Sequence, residues 1–546
     1  MVSEEGVISG QFMLTYGEEG DYCYVPMVID GYAVSFSAGA DNLSGTYLLN
    51  EQEDTLVLSL VMVSSENASI FYVSTTGSDT NPGTAESPFL TIQKGIDAAA
   101  AVAGTEVRVA AGTYQPTTTI QIAAGVSILG GYSGSDWDDR KYQTVAQRNN
   151  PTYKTEIQYA GPYNGAYSPP VMDPIATISA DGAEVTASTK VEGFTIKARD
   201  TGVATAALLL QNSAALTVQY NTINGSTNTS AGSVAVASNG SEPTMDNNVI
   251  DAGSSDGVAM GIYAIASEIT FTNNTVTGGT SAGGTTGLNL ENVSGIIANN
   301  VISGGSASSD VAQGIRIADG TPSSILIYNN TISSGSSTGA GNNALKIDNT
   351  SQVTVYSNVI IGEATGPAGT SFTVMLENCS TGLYNNTIIG GTSMVENIAV
   401  QMLEGATPTI ENNIIYTATP GTVSKGIYES DAESDPISVR NNNINGFSGK
   451  GYYDFDSSSY WSPSGPTWYG SIAYGNIAVP PSFVDYGNKD FHLTGASHVN
   501  LRGGGKDLTA VIGVLDKDGV TRTTGTPVGM TNTGASGWSI GAYEID

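Results

Sequence analysis

Between Asp200 and Ser424 the chain carries two basic residues, Arg316 and Lys346. Each sits in a short alternating run, Gly314-Ile315-Arg316-Ile317 and Ala344-Leu345-Lys346-Ile347. In a strand such alternation turns the apolar residues to one face and the charge to the other. Aligning all runs of this kind gives one outward column: Leu209, Ala235, Tyr263, Asn289, Arg316, Lys346, Met375, Gln401 and Tyr428. If the runs stack as neighbouring strands, the two cations lie about 4.8 Å apart. Two positions onward, on the same face, come Glu291, Asp348 and Glu377.

Stacked cations flanked by amides and tyrosines can hydrogen-bond sugar hydroxyls and lie against sugar ring faces. With an added base they could also stabilise charge developing on a substrate during proton abstraction. One reading of the column is therefore a carbohydrate-binding or catalytic groove centred on Arg316 and Lys346. The other is a surface ladder in which Glu291, Asp348 and Glu377 offset the two cations. Exposed ion pairs are common and individually weak, so the ladder is the simpler reading.

What positions these residues is a repeat. The motif Asn-Asn-x-Ile/Val and its variants place Asn221, Asn248, Asn274, Asn300, Asn330, Asn358, Asn386, Asn413 and Asn442 at steps of 26 to 30 residues. Gly193-Phe194-Thr195-Ile196 has the form of a degenerate earlier copy. So regular a period indicates a solenoid. Within each period the apolar runs alternate and none is a useful amphipathic helix, which leaves a parallel β-helix with two or three short strands per coil. Asn tolerates the left-handed turn between strands. Stacked amides can bond to one another and to the backbone, so the Asn series is expected to be a structural ladder.

Composition agrees with an all-β chain. Of 546 residues 67 are Gly, and charged residues are 13%, about half the usual share. The net charge of −32 repels phosphate backbones and anionic membranes, which argues against nucleic acid as a partner. No stretch is long and apolar enough to insert in a membrane. The opening Met1-Val2-Ser3-Glu4-Glu5 has neither the basic nor the apolar part of an export signal. Cys23 and Cys379 form no disulfide framework, and whether they pair stays open.

Near the start, Tyr72-Val73-Ser74-Thr75-Thr76-Gly77 leads through Asn81-Pro82-Gly83 to Phe89-Leu90-Thr91-Ile92-Gln93. A short helix beginning near Thr91, with Ile92, Ile96 and Ala99 on one face, would cover the open first coil. Farther on come Gly130-Gly131-Tyr132-Ser133-Gly134 with Trp137 and Arg140. The end has Asp490-Phe491-His492-Leu493, Asp516-Lys517-Asp518-Gly519-Val520-Thr521-Arg522 and Ile540-Gly541-Ala542-Tyr543-Glu544. These passages resemble the opening and terminal modules of right-handed parallel β-helix proteins of the pectate-lyase-like superfamily, as found on bacterial surface and secreted proteins.

The resemblance implies an all-β, right-handed parallel β-helix of about 27–28 residues per coil. It covers residues 71–546 and implies a β-helix over 71–450 and a capping or anchor-type module over 451–546, while strand-like runs such as Tyr24-Val25-Pro26-Met27-Val28-Ile29 make residues 1–70 a separate small β module. The implied location is extracellular or on a bacterial cell surface. The superfamily holds lyases, hydrolases and adhesins, so fold alone does not choose among them.

The hydrolase pattern is poor: both histidines, His492 and His498, lie outside the repeats, and Arg316-Ile317-Ala318-Asp319 departs from the Arg-x-Lys pattern of polygalacturonases. Asp516-x-Asp518-Gly519 has half of a calcium loop and reads better as a solvated turn. Ca²⁺ is compatible with so acidic a chain, but no metal site can be named and no cofactor is specified. The expected function is binding of a polysaccharide, a cell-surface glycan or another surface, in the manner of an adhesin, without catalysis. The alternatives are a polysaccharide lyase and a structural subunit of a fibre or surface layer, self-associating through its end modules.

Overall fold

A computed structural model describes residues 70–102, 105–161, 175–200, 205–227, 232–318, 324–418, 424–447, 450–462, 473–524 and 535–544. It also describes the backbone of five strands between residues 7 and 59. The chain divides into two compact units, Met1–Ala68 and Ser69–Asp546. In the first unit, Val7–Thr15 and Tyr22–Asp30 form an antiparallel pair. Ala33–Ala38, Asn42–Leu49 and Gln52–Ser59 form a three-stranded antiparallel sheet.

The second unit is a parallel β-helix. Among the described residues it has three long sheets of 14, 12 and 13 strands, whose strands pair in parallel with those of adjacent coils, except that Ser459–Trp461 closes the third sheet as an antiparallel hairpin with Tyr452–Asp454. The first sheet runs from Ile70–Val73 to Ala473–Tyr474, the second from Gly112–Tyr114 to Asn443–Asn445, and the third from Ile120–Gln121 to Ser459–Trp461. A fourth sheet of four two-residue strands, Ser254–Ser255 to Ser336–Ser337, stands between the second and third. Each coil is thus three short strands, and their inward Ile, Val and Leu make one continuous core from Val73 to Ala473. The helix Ile92–Ala101 is capped by the Thr91 hydroxyl and buries Ile92, Gly95, Ile96 and Ala99 in the first coils, so the opening end is not left as bare strand edge.

The Asn turns join the first sheet to the second. The first residue of each takes a left-handed backbone, as at Asn247 (φ 54°), Asn299 (φ 58°) and Asn412 (φ 60°). The second residue points inward and forms the ladder. Asn330 donates through Nδ2 to Ile297 O (2.8 Å), Tyr328 O (2.9 Å) and Asn358 Oδ1 (3.0 Å). Its own Oδ1 accepts from the Asn300 backbone and side chain, both at 2.9 Å. The same pattern links Asn221, Asn248, Asn274, Asn300, Asn330, Asn358, Asn386, Asn413 and Asn442. It continues to Asn476, whose Oδ1 accepts from Asn442. In the degenerate copy Gly193 supplies the left-handed residue (φ 84°), and the Phe194 backbone donates to Asn221 Oδ1.

Because the ladder from Asn221 to Asn442 is buried, removing one side chain orphans its partners rather than returning them to water. Asn330→Ala is expected to destabilise the solenoid by about 1–3 kcal/mol. A chemical-denaturation midpoint equal to that of the unsubstituted chain would show that the ladder does not hold the coils together.

After the last coils the chain folds back along their flank. The outward column of the second sheet is polar at Thr277, Ser303 and Ser333 and turns apolar at Ile361 and Ile389. There Phe491, Ala542 and Tyr543 pack against Val359, Ile361 and Ile389. Leu493, Leu501 and Ile540 cover Ile414 and Ile477. The left-handed Asn residues of these coils serve this docking: Asn385 donates to Ser539 O (3.0 Å), Asn412 to Lys506 O (2.8 Å) and Asn441 to Gly504 O (2.9 Å).

Asp516 is not the solvated turn expected. It is buried, and its carboxylate accepts from the backbones of Asp518, Val520 and Glu544, which pins the two terminal motifs together. Cys379 is a buried free thiol whose pKa burial pushes up to about 11. The side chain of Cys23 lies outside the described residues.

Candidate functional site

The third sheet carries the charged column, and its register corrects one member. Leu209 pairs with Ala237, and Ala237 with Tyr263, so Ala235 does not belong. Ala235 falls one residue before Val236, the partner of Leu208 and Ile262, at the place taken by Gly261, Gly287 and Gly314 in later coils. Ala235 and Val236 both enter the core, which breaks the two-residue alternation. A Cβ at Gly287 would stand 2.6 Å from Gly314 O, so this corner admits only small residues. From Tyr263 onward the column runs Asn289, Arg316, Lys346, Met375, Gln401, Tyr428 and then Tyr453.

Two charge networks lie side by side on this face. In the first, Arg316 Nη1 donates to Asn289 Oδ1 (3.0 Å) and reaches Glu291 Oε1 at 3.4 Å. Tyr263 Oη and Asn289 Nδ2 also turn toward Glu291, each at 3.4 Å. In the second, Lys346 Nζ lies 2.8 Å from Glu377 and 3.5 Å from Asp348. Arg316 and Lys346 are register partners, yet each turns to its own carboxylates. The structure therefore brings Tyr263, Asn289, Glu291, Arg316, Lys346, Asp348 and Glu377 into two adjoining networks. Gln401 lies two coils beyond Lys346 and bonds to Ser430 Oγ (2.9 Å). Tyr428 follows, stacked on Tyr453 with centroids 4.8 Å apart.

Asn343 Oδ1, Asp348 Oδ1 and Gln401 Oε1 are buried and accept no hydrogen bond. Asn343 shares a strand with Lys346 and stands beside Gln313 and Phe372, one step toward the corner. A buried acceptor without a donor costs about 1–3 kcal/mol, so such groups are exceptions to be explained. Sequence reasoning missed Asn343, although the non-ladder pair Asn342-Asn343 beside Lys346 was visible. It also missed Lys425, which lies 3.6 Å from the Tyr428 ring centroid. Burial opposes the Lys425 charge, but the Glu396 ion pair and the surrounding tyrosines hold its pKa above the usual lysine value. Tyr460 extends the aromatic row, 4.9 Å from Tyr453.

No group of three or more His, Cys, Asp or Glu side chains gathers to hold a metal ion among the described residues, and no described helix is long and apolar enough to cross a membrane. A second concavity, about 850 Å³, opens elsewhere, between the second sheet and the small fourth sheet.

Residues 75–255 match a family model described as a protein of unknown function, DUF1565. No curated protein matches the chain. Among solved structures, the chain is similar to the A-module of a mannuronan C-5 epimerase from Azotobacter vinelandii. That likeness has 16% identity and a TM-score of 0.42, and it covers 71% of this chain and 94% of the other. It is also similar to the catalytic domain of an α-1,3-glucanase, with 12% identity and a TM-score of 0.28, covering 80% and 87%. A surface adhesin of Streptococcus pneumoniae matches at 13% identity and a TM-score of 0.22, covering 63% and 89%. At these scores the likenesses carry no argument about what the chain does.

Proposed function

We propose that this chain is a secreted or cell-surface β-helix protein that binds a polysaccharide along the outer face of its third sheet without cleaving it. The observation that carries this reading is the continuous outward column Tyr263, Asn289, Arg316, Lys346, Met375, Gln401, Tyr428 and Tyr453, which sets amides, charges and aromatic rings in one line along the face. Amide and charged groups in such a row exchange hydrogen bonds with sugar hydroxyls, and aromatic faces lie against sugar rings. Tyr428 and Tyr453 beyond Gln401 add aromatic surface along the same column. Catalysis is disfavoured because a lyase needs a cation facing the substrate, and here Arg316 and Lys346 are both engaged by carboxylates.

The test is affinity electrophoresis of the whole chain through gels holding neutral or acidic polysaccharides, with and without Ca²⁺. Gln401→Ala together with Tyr428→Ala is expected to weaken binding at least tenfold, about 1.4 kcal/mol. Arg316→Ala with Lys346→Ala should also abolish retardation by a polymer held on this face. Unaltered retardation of both variants would refute the reading. Binding that needs Ca²⁺ and an acidic polymer would place a bridging cation in the site.

A further inference from the structure

The angle between the second sheet and the small fourth sheet has a wall, a floor and a facing wall. The wall is the outward column Lys197, Asn224, Asp251, Thr277 and Ser303, in unbroken register over five coils. The floor is Gly253, Gly279 and Gly305, all left-handed (φ 81°, 70° and 80°). A Cβ at any of the three would meet a carbonyl oxygen of the preceding coil at 2.2 Å, so the floor stays bare backbone. Across it stand Ser254, Thr280 and Ser306, paired coil to coil. The enclosed volume, about 850 Å³, falls within the range of ligand-binding clefts.

We propose that this angle is a second binding groove, separate from the third-sheet face, and that it takes one strand of a neutral, hydroxyl-rich polymer. The lining is preorganised. Asp251 Oδ1 accepts from Gly253 N (2.7 Å), Thr277 Oγ1 from Gly279 N (3.2 Å) and Ser303 Oγ from Gly305 N (3.3 Å). Each side chain is thus held by the backbone two residues on. The hydroxyl hydrogens of Thr277 and Ser303 are left to donate, and the second oxygen of Asp251 to accept. These groups recur at the coil rise, about 4.8 Å, along a straight line.

The same strip shows what it does when its lining changes. Where the column becomes Ile361 and Ile389, the C-terminal Phe491 and Tyr543 lie on it. The apolar half is filled by the protein's own chain and the polar half is open, so its occupant must be polar as well as extended. Charge selects a neutral one. Asp200 and Asp251 line the groove, Lys197 lies 3.0 Å from Glu156, and the chain as a whole carries −32.

The experiment is affinity electrophoresis of the whole chain against a glucan, a mannan and a galactan, with polygalacturonate as the anionic comparison. Ser303→Trp fills the groove from an outward position. Asn224→Ala with Thr277→Val and Ser303→Ala strips its polar groups without added bulk, so the test survives a poorly folding Trp variant. At least one neutral polymer should retard the wild-type chain. Either groove variant should lose that retardation at least tenfold, while Arg316→Ala with Lys346→Ala keeps it. No neutral retardation, or groove variants that migrate as wild type, would overturn the proposal. Loss confined to the Arg316 and Lys346 variant would overturn the groove and leave the third-sheet reading standing.

Discussion

Arg522→Ala is expected to release the C-terminal segment from the solenoid flank at a cost of about 3–5 kcal/mol. The Arg522 and Glu544 side chains are 0% and 1% exposed and lie 3.5 Å apart. Burial pulls the Arg522 pKa down to about 10 and lifts that of Glu544, so both ions are held against a desolvation cost. The guanidinium recovers it by donating to Ser357 Oγ in the coil and to Gly541 O and Ala542 O in the segment. Truncating it leaves Glu544 charged and uncompensated under cover of the segment. Limited proteolysis should then cut within residues 480–546 and expose Ile361, Ile389 and Ile414. Replacing both partners, Arg522→Met with Glu544→Leu, should restore much of the loss, because a buried ion pair is often no better than an apolar one. A single variant as resistant as wild type would show that the apolar contacts alone hold the segment.

Glu429→Gln is expected to stabilise the protein at pH 8 and to leave it nearly unchanged at pH 4. Glu429 points into the end of the core, where its carboxylate meets the Tyr452 hydroxyl and the Phe455 backbone. Burial, with Asp454 and Asp435 nearby, pushes its pKa up to about 7 from an ordinary 4.5. The folded state thus holds a proton that the unfolded state has lost. The contribution is full below about pH 4.5, declines as pH rises, and is gone above about 7, a loss of about 3 kcal/mol. Gln keeps an acceptor and never ionises, so the gap between variant and wild type should open over that interval. Urea denaturation at pH 4, 6 and 8 measures it. A gap of equal size at all three would show that ionisation of Glu429 is not the cause.

How much could be read beforehand depended on how local each signal was. The ladder was legible because one residue type recurs at one place in every coil and the inward Ile or Val follows it. The last rung, Asn476, was hidden because its step is 34 residues, stretched by the chain between Asn442 and Asn476. The helix after Thr91 was legible from its cap and its apolar spacing. The slip from Ala237 to Ala235 came from assuming strict alternation through a corner where two successive residues face inward.

The charged column could be aligned from sequence, but the state of its acceptors could not. Whether Asn343 Oδ1 finds a donor depends on the side chains of coils stacked on either side. The second groove left a fainter trace, the Gly residues that recur at 253, 279 and 305. Their left-handed backbone and close coil-to-coil packing emerge only when the coils are assembled. Docking of the C-terminal segment was written in the change from Ser303 and Ser333 to Ile361 and Ile389, which becomes meaningful once those positions are known to face outward.

The central claim, binding without cleavage on the third-sheet face, is tested most directly by recovering the polysaccharide itself. A polymer held on that face, one that still retards the Ser303→Trp chain, would be incubated with the wild-type chain, with and without Ca²⁺, then released and assayed for chain length and for unsaturated or reducing ends. The account predicts a polymer that is bound, that is released intact, and that is not bound by the Arg316→Ala, Lys346→Ala variant. Shortened chains or new unsaturated ends, absent from the variant, would contradict it and make the third-sheet column an active site.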